Sequence, residues 1–293
     1  MSKLTLVMDS QRLNEIQLCP EKYNLGFVNN LILPQKQEFF ESGTLMHEML
    51  ATYYKVRKYR SRWEQNKHDH DKIIAICHRV AKHFLIKMSL PVETAFEHLE
   101  VFEQYVRHFQ HDGWETLAVE QAGVKELYDS EDLRILYEVK IDLVARIQGR
   151  IFAVDHKTSR RRQEPTDMSN QFMGYCWFLG IPNLIVNKIG FQTSLKPKDK
   201  FNRYVLSYSP ERLEEWKDNT VWWGRRLAFH LQNNSWPKNL TSCDKWGGCI
   251  YQKICQVEPA ARPWRISRDY EVRERAWDPS GSLGKGVEDA EEV

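Results

Sequence analysis

The order of periodicities along this chain predicts an α/β fold in which helices lead into a mixed sheet, and three observations carry that reading. Before residue 112 the apolar residues recur at helical spacing in four stretches. From residue 113 alternating and β-branched runs take over. A last segment, residues 241–256, is rich in Cys, Gly and aromatics and has no clear period, so something other than a core is expected to hold it. With 293 residues, 42% hydrophobic and 28% charged, the composition is that of a soluble globular chain. No basic region followed by an apolar stretch follows Met1, and the longest apolar run, residues 174–181, falls far short of the roughly 20 residues that a bilayer needs. The expectation is therefore a cytoplasmic protein without a membrane span, whose six cysteines act as thiols or metal ligands rather than as disulfides. The net charge of +2 says little about partners.

Taken in order, the helical stretches are 10–18, 38–59, 70–88 and 92–111, the last opened by Pro91 at a position that favours a helix start. Strands follow at 115–127, 133–147, 150–157, 184–193 and 201–208, with a helix inserted near 167–179 and another after them at 210–232. No repeat or linker interrupts this order. The expected organisation is one domain over 1–270, comprising a helical part (1–112), a sheet core (113–209) and a C-terminal helix with the Cys-rich segment (210–270). Residues 271–293 are expected to be an acidic, flexible tail, since 278–293 holds one Lys against five acids and almost no large apolar residue. Between Lys157 and Arg203 the balance is opposite, with nine Lys/Arg against three acids.

The most informative stretch is Val139–Lys157. Two apolar-rich strands flank Gln148-Gly149, and a two-residue hairpin loop there sets Asp142 opposite Asp155. Opposed side chains have Cβ atoms roughly 5 Å apart, where two carboxylates repel unless a cation lies between them. Lys157 projects from the same face as Asp155, and the side chain of His156 points away. Two acids bridged by a hard divalent cation, with an ammonium beside them, suit phosphodiester hydrolysis. A surface hairpin with alternating charges is the competing reading.

Asp142 followed by Asp155-x-Lys157 resembles the core of the PD-(D/E)XK nucleases, specifically the RecB-type clade, and the resemblance covers about residues 10–256. It implies a mixed central sheet of the restriction-endonuclease-like type flanked by helices, and a divalent-metal-dependent DNA nuclease. In that clade an upstream helical His completes the metal site, which falls here on His47 in Gly43-Thr-Leu-Met-His47-Glu. A Gln-x-x-x-Tyr helix follows the Lys, matched by Gln171 and Tyr175, whose i, i+4 spacing puts them on one helical face. The resemblance implies that this pair contacts the DNA strand or positions Lys157. It also implies a metal ligand in the backbone carbonyl of His156 and an acid on the preceding strand, for which Glu120 stands; a solvated strand Glu is the alternative. Mg2+ and Mn2+ both suit carboxylates, one imidazole and a carbonyl.

Cys243, Cys249 and Cys255 are separated by five residues each, and Cys19 stands far upstream, before Pro20. Several thiolates converging on one centre bind soft metals. One N-terminal Cys plus three near the C-terminus resembles the iron-sulfur subgroup of the clade, including AddB and the nucleases of CRISPR adaptation, which implies a [4Fe-4S] cluster on these four. The first C-terminal interval departs from the commoner two residues, with Trp246 where that spacing would put the Cys, and zinc on four thiolates stays open. Either centre would staple the helical N-terminal part to the Cys-rich segment, removing at most roughly 5 kcal/mol of unfolded-chain entropy by analogy with a disulfide. Cys77 and Cys176 fall within helical stretches and read as buried small hydrophobes.

Arg160, Arg161 and Arg162 follow Lys157 closely and are expected at the mouth of the site, where such a patch attracts the phosphate backbone without reading sequence. A solvated loop is the alternative. Aromatic side chains supply stacking surfaces for single-stranded bases. The Gly- and Lys-containing string 281–286 lacks the spacing and the Ser/Thr of a Walker A loop, so no motor is read here. The resemblance implies a nucleoid-associated exonuclease preferring single-stranded DNA or DNA ends, in some relatives with endonuclease activity as well, serving recombination, repair, phage replication or CRISPR-type processing. Two other classes remain. One is a non-catalytic metal-cluster DNA-binding protein, and the other a nuclease subunit that needs a helicase, single-strand-binding or integrase partner.

Overall fold

A computed structural model of the chain describes residues 3–34, 37–59, 67–88, 91–160, 164–192 and 197–273. Its N-terminal elements are β1 (Leu4–Met8), α1 (Ser10–Leu18), α2 (Pro20–Tyr23), a π-helical turn (Asn24–Val28) and β2 (Leu31–Ile32). Three long helices follow, α3 (Gln37–Tyr59), α4 (Lys67–Met88) and α5 (Val92–His108). The sheet region holds β3 (Glu115–Asp129), β4 (Leu133–Ile147), β5 (Arg150–Ser159), α6 (Asn170–Leu179), β6 (Asn183–Gly190), α7 (Pro197–Lys200) and β7 (Phe201–Ser207). It is followed by α8 (Pro210–Asn233), α9 (Gln252–Gln256), α10 (Arg262–Asp269) and β8 (Glu271–Val272). The mixed sheet has strand order β1-β4-β5-β6-β7, with β3 also paired to β4, and helices flank it.

The chain forms two compact units, each assembled from separate stretches: Met1–Lys36, Ala122–Lys140 and Glu211–Val293 in one, Gln37–Gln121 and Ile141–Pro210 in the other. In the first, β1 runs parallel to the start of β4, from Leu4↔Leu133 to Met8↔Tyr137. Asp9 starts α1 by accepting hydrogen bonds from the backbone N–H groups of Gln11 and Arg12 at 2.7 and 2.9 Å, the usual satisfaction of helix-end donors. The Cys-rich segment belongs to this unit and, contrary to the sequence expectation, has a small core of its own. Leu25, Leu31, Tyr251, Ile254 and Tyr270 are buried together. The two tyrosines satisfy their hydroxyls on the backbone, Tyr251 on Leu31 O at 2.7 Å and Tyr270 on Ile250 O at 2.6 Å. These residues are too few and too scattered in sequence to show a period. Glu271 and Val272, expected in the tail, pair as β8 with β2; residues 274–293 lie outside the described residues.

The second unit carries the larger core. Leu45, Met49, Tyr53 and Tyr54 of α3, Ile73 and Cys77 of α4, and Val101, Phe102 and Tyr105 of α5 pack with Leu143, Val154 and Ile185 of the sheet. β4 and β5 are antiparallel, β5 and β6 parallel across α6, and β6 and β7 antiparallel. β6 is buried from Leu184 to Gly190, as a central strand must be. Helix α5 stops at His108, three residues short of the periodicity. The chain turns there so that Asp112 is gripped by Arg57 and Arg203, both at 2.8 Å. Strand β6 likewise ends at Gly190, and Phe191 turns to pack on the His98 ring at 4.5 Å.

Candidate active site

The β4–β5 turn is made by Gln148 and Gly149, both with positive φ (49° and 81°), the twist that a two-residue hairpin loop requires. It sets the ladder Ile147↔Arg150 through Leu143↔Val154, one step from Asp142 and Asp155. The repulsion that this register creates is answered by a separate partner for each carboxylate. Asp142 takes His47 Nδ1 at 3.4 Å and the His156 backbone N–H at 2.7 Å. Asp155 takes Lys157, whose Nζ lies 3.2 Å from Oδ1 and 3.0 Å from Oδ2.

Burial pushes the Asp142 carboxyl up, but the hydrogen bond and charge of His47, with His156 beside it, win and leave it below the usual carboxylate range. For His47 the same bond and charge overcome burial and raise the imidazole. Asp155 goes the other way: burial holds it up at about 6, Lys157 pulling it down and Asp142 pushing it up. The two acids therefore differ in kind, one a settled anion and the other poised close to neutrality.

Helix α6 begins at Ser169, which accepts from the Phe172 N–H at 3.4 Å, and ends at Gly180 in the left-handed region. Its first turn delivers Gln171. Gln171 Oε1 accepts from Lys157 Nζ at 2.8 Å, and its Nε2 donates to the Tyr175 hydroxyl at 2.9 Å. Tyr175 is buried, whereas the Lys157 side chain keeps 44% of its surface open.

Glu120 interrupts β3 with a φ of 52°, a left-handed conformation that a side-chain-bearing residue adopts at a cost of roughly 1–2 kcal/mol. One oxygen of Glu120, one ring nitrogen of His47 and one oxygen of Asp142 all lie within 4.8 Å of one another. Two carboxylates and an imidazole at that spacing fit a hard divalent cation. Asp155 Oδ2, buried and ion-paired with Lys157 Nζ at 3.0 Å, is a further acceptor. Sequence reasoning brought these residues together; it had no signal for the strained backbone at Glu120. The His156 side chain does turn away, its ring stacked on Tyr54 at 5.6 Å and 11°. Burial pushes that imidazole down to about 3.

Among the described residues, the cations between Lys157 and Arg203 do not form one continuous surface patch. Arg160 is forked on Glu97, with Nη1 2.9 Å from Oε1 and Nη2 on Oε2. Lys188, Lys200 and Arg203 are not a surface patch. Lys188 and Lys200 are each 8% exposed, and Lys200 donates to Gln104 at 3.0 Å. The Arg203 guanidinium is sandwiched between Phe109 and Trp114, 3.5 and 3.6 Å from their ring centres. A linear charge count misses this because it cannot tell a cation enclosed by the fold from one in solvent. Arg161 and Arg162 lie outside the described residues.

The sequence model of the PD-(D/E)XK nuclease superfamily matches residues 10–256 of the chain. The chain belongs to the PD-(D/E)XK nuclease superfamily. Membership points to divalent-metal-dependent nuclease activity and to DNA as substrate. No curated protein matches this nuclease. The solved structure described as "Crystal structure of SSO0001" is 15% identical to it, covering 74% of this chain and 95% of that chain with a TM-score of 0.34, a likeness too distant to carry an argument. No helix among the described residues of the nuclease is long and apolar enough to cross a membrane.

The cysteines of the nuclease are all free thiols. Burial pushes Cys77 and Cys176 up to about 12, in keeping with small core residues. Cys19 and Cys243 meet on one residue: the Asn239 backbone N–H donates to Cys19 Sγ at 3.3 Å, and Asn239 O accepts from Cys243 Sγ at 3.9 Å. Burial raises Cys249 and Cys255, and each also feels the charge of Cys19. Among the described residues, no three of the sulfurs lie as close together as the donors of the His47 group.

Proposed function

We propose that this chain is a DNA exonuclease of the RecB-type clade, acting on single strands or free ends in recombination, repair, phage replication or CRISPR-type DNA processing. The observation that carries the reading is the placement of Lys157 Nζ between Asp155 and Gln171, on the hairpin that also brings Asp142 to His47 and Glu120.

In this reading His47, Glu120, Asp142 and Asp155, with the backbone carbonyl of His156, hold the divalent ion, physiologically Mg2+ on availability. When bound, that ion supplies the Lewis acid that activates water and offsets phosphate charge. The protein's own part falls chiefly to Lys157. Its ammonium presents donors to the charge that develops on the phosphorane, and Gln171 and Tyr175 remove its rotamer freedom beforehand. Asp155 must give up its proton before it can serve as a ligand, which its poise near pH 6 allows at neutral pH. Arg160 contributes to strand binding only by exchanging Glu97 for a phosphate, and Arg161 and Arg162, next in the sequence, are assigned the same role in this reading.

Cys19, Cys243, Cys249 and Cys255 are assigned in this reading to a [4Fe-4S] cluster. Four thiolates on tetrahedral zinc stand about 3.8 Å apart, given Zn–S bonds of about 2.3 Å. No three cysteine sulfurs among the described residues are gathered to within 4.8 Å, so they do not stand at the spacing of a zinc site, and the assignment to a cluster rests on the resemblance of the four-cysteine pattern.

Digestion of 5′- and 3′-end-labelled single- and double-stranded DNA by anaerobically purified protein tests the proposal. Progressive loss from one end of the single strand supports an exonuclease. Internal cuts in closed circles, or cleavage only after a helicase or integrase partner is added, would replace it with an endonuclease or a dependent subunit.

A further inference from the structure

The ring of His156 is held far more tightly than a buried core histidine needs. Asn187 lies beside it in the parallel register of β5 and β6 and is fully buried. The Asn187 amide nitrogen is 2.8 Å from His156 Nδ1 and donates to the Tyr105 hydroxyl, also at 2.8 Å. Tyr105 shares a hydrogen bond of 2.7 Å with Tyr54, the residue whose ring stacks on His156. The imidazole is therefore fixed in its plane by Asn187 and from its face by Tyr54, each in direct contact with it, and both also reach the hydroxyl of Tyr105.

The other side of the same residue meets the proposed metal site. His156 gives its backbone N–H to Asp142 Oδ2 at 2.7 Å, and its ring stands edge-to-face with His47 at 6.2 Å and 73°. Two of the three grouped donors thus meet His156, Asp142 on its backbone N–H and His47 on its ring. A ring free to rotate would release the packing on His47, whereas a pinned ring holds His47 at one distance from Asp142.

We infer that Asn187 is a positioning residue of the metal site, acting through the His156 ring to hold His47 at the spacing from Asp142 that a divalent cation requires. Neighbours of this kind, one step removed from the ligands, typically change metal affinity or activity by 10–100-fold, roughly, when they are removed. The inference rests on the reading of His47, Glu120 and Asp142 as metal donors.

The test is Mn2+ affinity without DNA, followed by electron paramagnetic resonance on the full chain as purified, beside thermal unfolding of each protein. Asn187→Leu removes the ring anchor, whereas Tyr105→Phe removes a buried hydroxyl and leaves the Asn187–His156 bond. Both are expected to lower the melting temperature, but only Asn187→Leu should weaken Mn2+ binding, by about tenfold. Equal affinity in Asn187→Leu and parent, or equal weakening in both variants, overturns the inference and leaves a purely structural network. Should Asn187→Leu not fold, His156→Phe takes its place, because it removes the same bond, keeps the stacking ring and retains the backbone N–H to Asp142. The same tenfold weakening is expected there, and unchanged affinity overturns the inference. Asp142→Ala separates the two levels. If the parent binds no Mn2+, or Asp142→Ala binds it as well as the parent, the metal-site reading itself fails.

Discussion

Lys157 on β5 reaches Gln171 on α6 across 2.8 Å, and Gln171 in turn holds Tyr175 at 2.9 Å one helical turn on. The ammonium of a long, flexible side chain is thereby fixed at both ends of its reach, with Asp155 as its second partner. Lys157→Met keeps the stem and removes only the charge. It should lower single-turnover cleavage by at least about 100-fold, the usual scale for losing one preorganised donor, while leaving the melting temperature near the parent's. Turnover within tenfold of the parent contradicts the role given to Lys157.

Gln171→Ala and Tyr175→Phe dissect the support of that lysine. Gln171→Ala frees Nζ directly and should reduce the rate by roughly tenfold or more. Tyr175→Phe leaves the Lys157–Gln171 bond in place and should cost less. A larger loss in Tyr175→Phe than in Gln171→Ala would show that the tyrosine hydroxyl acts on the substrate and not through Gln171.

Asp155 makes a stability prediction for the protein in EDTA. Its pKa in the fold, about 6, stands above the ordinary 3.8 because burial and Asp142 disfavour the anion. The cost of the charge is carried in full above pH 6 and vanishes as pH falls towards 3.8. Asp155→Asn should therefore be more stable than the parent at pH 7.5, on the order of 1–3 kcal/mol, with the advantage shrinking by pH 4.5. Urea unfolding at the two pH values checks it. A variant less stable at pH 7.5, or an advantage that ignores pH, opposes the assignment.

The cysteines divide into two classes that alkylation should distinguish. Cys77 and Cys176, raised to about 12 by burial, should resist iodoacetamide in the folded protein at pH 8. If the proposed cluster is present, Cys249→Ala should lose bound iron and lower the melting temperature before it changes the chemistry, since the cluster would tie Cys19 to the C-terminal segment. A colourless, equally stable and fully active Cys249→Ala protein argues against any centre on these thiols.

Much of the sheet and the helices was legible because their signals are local. The Gln148-Gly149 loop fixes the register of β4 on β5, and i, i+4 spacing alone puts Gln171 beside Tyr175. What escaped the sequence is long-range. Strand β1 is five residues long and gains its meaning only from pairing with β4. The small core around Tyr251 draws on residues from Leu25 to Tyr270, a separation that no window spans. Arg203 counts as surface charge until Phe109, Trp114 and Asp112 enclose it. Asn187 draws no reading from the sequence, because its two partners, His156 and Tyr105, come from β5 and α5.

The most direct measurement compares parent and Asp155→Ala, purified side by side and shown to be folded, on single-stranded DNA with Mg2+, with Mn2+ and with EDTA. The account expects cleavage by the parent in either metal, none in EDTA, and a loss of at least about 100-fold in the variant. Cleavage that survives EDTA, or that Asp155→Ala retains, would contradict it.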